Sequence, residues 1–367
     1  MMYELTNEER KYFCLPEVTC TQKRVELPKG PYDDHVTVAY IEGQRIVKVI
    51  MVSDKPDKEL YREYGLDETL SSDGTKIMPK TDKGKPQNFT APVLAKKTPI
   101  GMALSYSNGY VYVTNNTAQQ DYYRSGYSCG RIVGLDAFAR WVSDWCQSTG
   151  EHELLEIEEF SRRTRSHVKY SEGDFFRYRL ARGLYGYGRI LVDYAKMRKE
   201  GIPFWDIFCG KPLCVAVYHI ATKDAGLRPE ELCTLTMLPS QMIMDNIFYY
   251  GECEIIGNMP ISDDEDNYTV HYEYSNNISE SDKLCYQCGK TFVTRLGAPL
   301  LYDGFGNGGI GWSLDVKLDV LVECIRQGSN APYWSMIPAW RAEGDIRNPK
   351  FKKQLERVRK QMGVKRN

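Results

Sequence analysis

Arginine and tyrosine recur closely in one stretch of the sequence, DFFRYRLARGLYGYGRILVDY at residues 174–194. Guanidinium groups bind carboxylates and phosphates and stack on aromatic rings, so this combination suits recognition of a protein or of a nucleic acid. The candidate contact residues in the stretch are Arg177, Tyr178, Arg179, Tyr185 and Arg189. We therefore expect the stretch to contribute a binding surface or the wall of a barrel.

A second candidate contact segment is acidic and lies between two predicted strands: Asp263, Asp264, Glu265 and Asp266. Such a run is often only a solvated loop. It could also form an anionic rim that occludes a basic partner or steers its association. Both interpretations remain open from the sequence.

The spacings that mark catalytic and metal sites are missing from the sequence. The histidines are dispersed, and there is no HExxH, GxSxG, P-loop or kinase signature. Cys285 and Cys288 form one CxxC, but a closed zinc site needs four ligands, and an alternating strand places these two cysteines on opposite faces. We expect no catalytic residue, no cofactor and no metal ion.

One glycine motif could bind a nucleotide, because Gly306, Gly308 and Gly311 form a GxGxxG before a predicted helix. Glycines in that position bring backbone N–H groups close to a pyrophosphate. A dinucleotide fold also needs a βαβ unit, whereas the helix here leads into SNAPYWSMIPAW, which has no parallel-strand pattern. A flexible loop is the prediction, and a nucleotide-using enzyme is the third hypothesis for function.

Two strands must position the arginines and tyrosines. Asp174 to Leu180 and Tyr187 to Tyr194 alternate apolar and polar residues, which predicts a β-hairpin. The bend between them is predicted from three glycines, Gly183, Gly186 and Gly188. Because side chains alternate between the faces of a strand, we expect Phe176 and Ile190 to point inward and the arginines and tyrosines to lie on the opposite face.

The overall charge directs the chain toward no particular partner. Lys and Arg total 48 and Asp and Glu total 49 of 367 residues, so no global field favours nucleic acid or a membrane surface. The N-terminus carries charges where a signal peptide needs an apolar core, and no apolar run is long enough to span a membrane. The 11 cysteines are an odd number without a secretory signal, which predicts reduced thiols and a cytoplasmic protein.

The first 150 residues are predicted to mix strands and helices. Four elements are predicted there: strands from His35 to Glu42, Arg45 to Val52 and Gly109 to Thr114, and a helix from Leu135 to Gln147. Residues 54–95 lack periodicity and are predicted to be loop with one short helix at Lys58 to Tyr64.

The second half is predicted to be mostly β and to end in two helices. Alternation predicts four strands after the hairpin: Pro212 to Thr222, Met242 to Ile256, Asn267 to Tyr274 and Lys283 to Thr294. Helical spacing predicts amphipathic helices from Ser313 to Gln327 and from Lys350 to Met362.

These elements predict an α+β fold with two domains. The second would be a mostly antiparallel β barrel or strongly bent sheet, which closes edges that invite aggregation, with the amphipathic C-terminal helices docked on it. The predicted division is a mixed α/β domain at 1–150, a charged linker helix at 151–169, a mostly β domain at 170–298 and a helical extension at 299–367.

The hairpin and the strand after it resemble the immunity protein 26 family, bacterial proteins associated with polymorphic toxin systems. The matching stretches are EGDFFRYRLARGLYGYGRILVDY at 172–194 and GKPLCVAVYHI at 210–220, and the resemblance covers residues 170–295. Eight positions carry the family pattern: Gly173, Asp174, Phe176, Tyr185, Gly186, Gly188, Arg189 and Ile190.

The resemblance implies a non-enzymatic, cytoplasmic immunity protein of bacterial competition, which acts like the inhibitor of a toxin–antitoxin pair. It would bind a cognate toxin domain and block its active site or substrate access. The alternative is a nucleic-acid-binding module that uses an Arg/Tyr-rich sheet face, although the near-neutral charge argues against nucleic acid as a partner. No membrane partner is expected, and the oligomeric state is left open.

Overall fold

The computed structural model describes residues 3–29, 34–125, 131–205, 210–262, 269–275, 281–303, 305, 311, 314–316, 318–326 and 343–365. The chain divides into two compact units, residues 1–166 and residues 167–367. Each unit consists mostly of antiparallel strands with some helices. In the described ranges, no helix is long and apolar enough to cross a membrane.

The first unit is built around a seven-stranded antiparallel sheet. The strands of this unit are β1 (Lys23–Leu27), β2 (Val36–Glu42), β3 (Arg45–Ser53), β4 (Leu60–Thr69), β5 (Lys76–Ile77), β6 (Gln87–Asn88), β7 (Ile100–Ser107), β8 (Tyr110–Asn115) and β9 (Gln120–Arg124). Its helices are α1 (Asn7–Lys11), α2 (Ala91–Leu94), α3 (Leu135–Gln147) and α4 (Glu151–Ser161). The large sheet has the order β1-β2-β3-β4-β7-β8-β9, and β5 pairs with β6 separately.

Both faces of the seven-stranded sheet carry a buried core. On one face the N-terminal segment, α3 and α4 enclose an aromatic core, in which the rings of Phe13 and Trp145 stack with centroids 5.5 Å apart. On the other face β5 and α2 bury Ile77 and Leu94 in an aliphatic core. Helices and a small hairpin therefore sandwich the sheet.

Most of the elements predicted for this unit are confirmed. The hairpin of β2 and β3, the strand β8 and the helix α3 form where the alternation and the helical spacing indicate. The region predicted as loop with a short helix instead contains β4, so the prediction of a helix there is wrong. The strand was not predicted because a charged residue such as Glu63 normally lies at the surface. Here Glu63 is buried, and it pairs with Arg10 and Lys48 at 2.7 and 2.8 Å, both of which are distant from it in the sequence.

Helix α4 begins where the charged linker helix was predicted. Its Ile157 and Phe160 are buried in the aromatic core of the first unit. The side-chain amide of Asn115 closes its C-terminal end, because Nδ2 donates to the carbonyl oxygens of Phe160, Ser161 and Arg163 at 2.9, 3.2 and 3.1 Å. A side chain from β8 thus replaces the missing intrahelical donors of the last turn.

The second unit contains a five-stranded and a three-stranded antiparallel sheet. Its strands are β10 (Asp174–Ala181), β11 (Leu184–Asp193), β12 (Pro212–Val217), β13 (Gln241–Met244), β14 (Glu254–Asn258), β15 (Val270–Tyr274), β16 (Lys283–Cys288) and β17 (Thr291–Leu296). Its helices are α5 (Tyr194–Lys199), α6 (Pro229–Leu232), α7 (Asn246–Tyr249), α8 (Leu318–Arg326) and α9 (Lys352–Met362). The strand orders are β13-β12-β11-β10-β14 and β15-β16-β17.

The five-stranded sheet is buried on both faces. On one face Phe176 shares a core with Leu321 of α8. On the other face Phe175 shares a core with Cys285 of the three-stranded sheet, whose far side packs against Val358 of α9. Layers of sheet and helix therefore bury the strands, and within the described residues neither sheet closes into the barrel expected from the sequence.

Two predicted strands of this unit are divided in the structure. The segment predicted from 242 to 256 forms β13, α7 and β14, and the segment predicted from 283 to 294 forms a hairpin of β16 and β17 that turns at Gly289. Cys285 and Cys288 lie on opposite faces of β16, as predicted. Because their side chains point apart, these two cysteines cannot ligate the same metal ion.

Gly311, the last glycine of the GxGxxG, pairs with the outer edge of β13. Its N–H donates to Met242 O at 2.9 Å, and the N–H of Met244 donates to Gly311 O at 2.9 Å. This N–H therefore serves strand pairing and does not face a pyrophosphate. Gly306 and Gly308 lie outside the described residues.

Candidate functional site

The hairpin of β10 and β11 holds the predicted contact residues. Its strands pair in antiparallel register up to Ala181 opposite Leu184, which leaves a two-residue turn. Gly183 lies in this turn with a φ of +62°, a conformation that favours glycine. The other two glycines predicted in the bend, Gly186 and Gly188, lie inside β11 instead.

Each glycine within β11 faces an aromatic ring on β10. Gly186 is opposite Tyr178, and Gly188 is opposite Phe176. A Cβ added at Gly186 would lie 2.3 Å from Tyr178 Cζ, and one added at Gly188 would lie 2.3 Å from Phe176 Cζ. The rings therefore lie across the glycines, and these pairs form the framework of the hairpin.

Two residues before and at the start of β10 anchor the hairpin. Gly173 has a φ of +87°, and a Cβ there would lie 2.3 Å from Met259 O. The buried carboxylate of Asp174 accepts hydrogen bonds from Ser171 N at 2.6 Å and from Asn258 Nδ2 at 2.7 Å. Both residues therefore serve the fold of the hairpin.

Three of the predicted contact residues come together near the turn: Arg177, Arg179 and Tyr185, termed here the arginine–tyrosine cluster. The guanidinium carbons of Arg177 and Arg179 lie 5.1 and 6.0 Å from the centroid of the Tyr185 ring. All three side chains are partly exposed. Cation–π contacts at these distances restrict the rotamers of the three side chains.

Arg177 is also bound to other elements of the unit. Its Nη2 donates to Glu254 Oε2 at 2.5 Å, and its Nη1 donates to Ala225 O. Burial lowers the pKa of Arg177, but the hydrogen bond and the charge of Glu254 raise it, and the net pKa is raised. The sequence analysis missed Glu254 as a partner, because the two residues are 77 positions apart and no local spacing connects them.

A loop at residues 222–226 borders the arginine–tyrosine cluster. Tyr185 exchanges two backbone hydrogen bonds with Thr222, at 2.8 and 3.0 Å. The hydroxyl of Tyr187 donates to Asp224 O at 2.7 Å. Burial raises the pKa of Tyr187, so its hydroxyl keeps the proton that it donates. The loop is thus held to the hairpin through backbone and side chain.

The other two predicted contact residues, Tyr178 and Arg189, lie inside the unit rather than on its surface. Tyr178 packs in the core on the α8 side of the sheet. Arg189 is fully buried, with Nη2 donating to Met259 O at 2.6 Å and to Pro260 O at 2.8 Å. Its guanidinium carbon also lies 4.4 Å from the centroid of the Phe175 ring. The guanidinium group can be buried because two carbonyl oxygens and the face of an aromatic ring take the place of the water molecules that would hydrate it.

The remaining candidates form no chemical centre in the described parts of the chain. There, no group of three or more His, Cys, Asp or Glu side chains is arranged to hold a metal ion. Burial lowers the pKa of His271 to about 4. The acidic run of Asp263, Asp264, Glu265 and Asp266 lies outside the described residues, so its role in partner binding stays a prediction.

Comparison with known proteins identifies one segment of the second unit. Residues 171–284 match the family model of Immunity protein 26. The resemblance read from the hairpin is thereby confirmed for this segment. No curated protein and no solved structure matches the chain. The glycine–aromatic pairs, the anchoring Asp174 and the arginine–tyrosine cluster all lie within the matched residues.

Proposed function

From the match of residues 171–284 to Immunity protein 26, we propose that the chain is a non-enzymatic immunity protein. It binds the cognate domain of a bacterial toxin in the cytoplasm and blocks the active site of that domain or the approach of its substrate. The family match is the observation that carries this proposal. An inhibitor of this kind needs a complementary surface and no catalytic residues of its own.

The arginine–tyrosine cluster is the contact surface proposed for the toxin domain. Arginine and tyrosine are the residue types that most often dominate binding energy at protein interfaces. Here Tyr185 is ordered by two guanidinium groups, and Arg177 is fixed by Glu254. The acidic run at 263–266 is proposed as a second contact segment.

Co-expression tests the proposed function directly. The product of the adjacent gene is expressed with and without the chain, and growth and complex formation are measured. We expect the chain to restore growth and to elute with the toxin domain in gel filtration. Continued toxicity together with separate elution would sink the proposal.

Single substitutions test the contact surface. We expect Tyr185→Ala and Arg179→Ala each to weaken toxin binding by roughly 10- to 100-fold, as for residues that dominate an interface. Lys199→Ala is the matched control, because Lys199 is exposed on α5 of the same unit. Calorimetry gives the Kd of each variant. If both variants bind as tightly as the control, the contact lies elsewhere on the unit.

A titration separates an inhibitor from an enzyme. The toxin's activity should fall in proportion to the chain added and reach its minimum at a fixed molar ratio. Inactivation of many toxin molecules by each chain would contradict a non-enzymatic mode. Salt-dependent binding to DNA or RNA, in place of toxin binding, would favour the alternative of a nucleic-acid module.

A further inference from the structure

Strand β17 forms the outer edge of the three-stranded sheet, because the strand order is β15-β16-β17. An edge strand presents backbone N–H and C=O groups on its outer side, and another strand can pair with them. The direction of these groups along β17 follows from two hydrogen bonds at the end of the sheet.

The N–H of Gly297 donates to Asp282 O at 3.0 Å, so the carbonyl of Leu296 in the same peptide plane points away from β16. The N–H of Ser275 donates to Lys283 O at 2.9 Å, so the backbone carbonyl of Lys283 points toward β15. Lys283 is opposite Leu296 and therefore makes no backbone hydrogen bond with it. Backbone direction alternates along an antiparallel strand. The outward residues of β17 are therefore Phe292, Thr294 and Leu296.

The outward groups of β17 are open for pairing. Within the described residues, no backbone hydrogen bond engages them from the outer side. Leu296 is 76% exposed, more than any other large apolar side chain in the described ranges. Burial of this side chain by an added strand would stabilise the pairing.

In the part of the chain that the structure describes, two other edge strands, β1 and β13, are protected in ways that β17 is not. Lys23, Arg24 and Glu26 place exposed charges along β1. Gly311 pairs with the outer edge of β13. Protein edges are commonly blocked by charges or covered in these ways.

The single charge on β17 does not protect its edge. Arg295 is the charged residue of the strand, and its Nη2 donates to Met362 O at the C-terminal end of α9, at 3.3 Å. The guanidinium is therefore drawn over the sheet face toward the helix. Within the described ranges, no charged side chain therefore covers the backbone donors and acceptors on the outer side of β17.

We infer that β17 binds an extended segment of the toxin domain as a fourth strand of this sheet. The inference rests on the proposed function and names a second mode of contact for it. Only an extended chain matches donors and acceptors that repeat every second residue. An apolar residue of the added strand would cover Leu296.

A second copy of the chain fits this edge less well. If β17 pairs antiparallel with β17 of a second copy along its whole length, Thr294, the middle of the three outward residues, lies opposite Thr294 of that copy. Val293 then lies opposite Arg295 of the second copy. Because Arg295 is bonded to the end of α9, two such helix ends would converge on one face of the joined sheet. An extended segment of the toxin domain brings no second copy of α9 to this face.

Amide exchange measured by NMR tests the inference on the wild-type chain with the product of the adjacent gene. We expect the amides of Phe292, Thr294 and Leu296 to exchange at least about tenfold more slowly in the complex, because each gains a hydrogen bond. A complex that forms without this protection overturns the strand pairing and leaves the proposed function standing. Failure to form any complex overturns both.

Substitutions at one position provide the matched test. Thr294→Pro removes an outward donor and should weaken the complex roughly tenfold or more, whereas Thr294→Val keeps the donor and should change the Kd by less than about threefold. Circular dichroism checks that both variants fold. Equal Kd values for folded variants contradict the inference. Protection that rises with concentration of the chain alone assigns the edge to a second copy and also contradicts it.

Discussion

Phe176 and Gly188 lie opposite each other in β10 and β11, and the phenyl ring occupies the space that a Cβ at position 188 would need. Such a Cβ would also lie 2.7 Å from Ala216 O, which belongs to the neighbouring strand β12. Glycine is therefore required there by two neighbours, one a side chain and one a backbone atom. Gly186 differs, because the atoms nearest its added Cβ all belong to Tyr178.

This difference predicts opposite results in two double-mutant cycles. Gly186→Ala and Gly188→Ala should each destabilise the second unit by about 2–3 kcal/mol through overpacking. Adding Tyr178→Leu should relieve much of the first loss, whereas adding Phe176→Leu should leave the second in place, because Ala216 O remains. Urea unfolding of the six variants checks both cycles. Equal relief in the two cycles would contradict the assignment.

The buried ion pairs of the first unit predict a large effect from one neutral substitution. Glu63 accepts from Arg10 Nε at 2.7 Å and from Lys48 Nζ at 2.8 Å, with all three side chains nearly inaccessible. Glu63→Gln leaves two buried cations without their anion and should cost about 3–5 kcal/mol. Asp67→Asn is the control, because its partner Arg45 is exposed, and it should cost less than about 1 kcal/mol.

Denaturant unfolding measures the free energy for both of these variants. Adding Lys48→Met to Glu63→Gln should restore part of the stability, because one of the two uncompensated cations is removed. A loss from Glu63→Gln no larger than that from Asp67→Asn would show that the buried pairs are not coupled to folding.

Asn115 predicts a second stability effect in the first unit. Its Nδ2 donates to three carbonyl oxygens at the end of α4, and its Oδ1 accepts from Ala118 N at 3.0 Å. Asn115→Ala should destabilise the unit by about 2–4 kcal/mol, because these buried groups lose their partners. Asn116→Ala is the control, since the side-chain Nδ2 of Asn116 donates over the long distance of 3.4 Å to Gly101 O, and its backbone hydrogen bond at 2.8 Å is kept in alanine. Thermal unfolding followed by circular dichroism compares the two.

His271 predicts a pH dependence for the second unit. Burial lowers its pKa to about 4 in the folded state, against an ordinary value of 6.5, so the unfolded chain binds the proton first as the pH falls. The stabilisation is complete above pH 6.5, and up to about 3 kcal/mol of it is lost between pH 6.5 and 4. His271→Gln should remove this part of the pH dependence.

The measurement is the unfolding free energy of wild type and His271→Gln across that pH range. Comparison of the two removes the effect of other groups, including Glu273, whose pKa burial raises and whose contribution therefore has the opposite sign. His167→Gln serves as the exposed control. If the unfolding free energy of wild type and of His271→Gln changes with pH in the same way, the assignment of His271 as a buried neutral histidine is contradicted.

The sequence was sufficient to predict the hairpin, but it did not show why Gly186 and Gly188 must be glycines. Alternation correctly placed β10 and β11, because period-two patterning is a local property. Three nearby glycines predicted a glycine-rich bend, whereas only Gly183 lies in the turn. The other two are accommodated by rings on the paired strand, and that requirement becomes visible only once Tyr178 and Phe176 are in register with them.

Of the candidate contact residues in the hairpin, some lie at the surface and two are buried, and the sequence shows only part of this difference. Alternation already places Tyr178 on the same face as Phe176 and separates it from Arg177 and Arg179, and this signal could have assigned Tyr178 to the core. For Arg189 no local signal exists. Its burial depends on carbonyl oxygens of Met259 and Pro260, about 70 positions away in the sequence.

The contact between Trp145 and the N-terminal segment has a consequence for synthesis of the chain. Trp145 Nε1 donates to Tyr12 O at 3.2 Å across 133 positions, and its ring stacks on Phe13. The segment with Tyr12 and Phe13 is synthesised before α3 and therefore waits for α3 before it can dock. At about 5–20 residues per second this delay is on the order of 10 s, during which Phe13 must be kept from other partners.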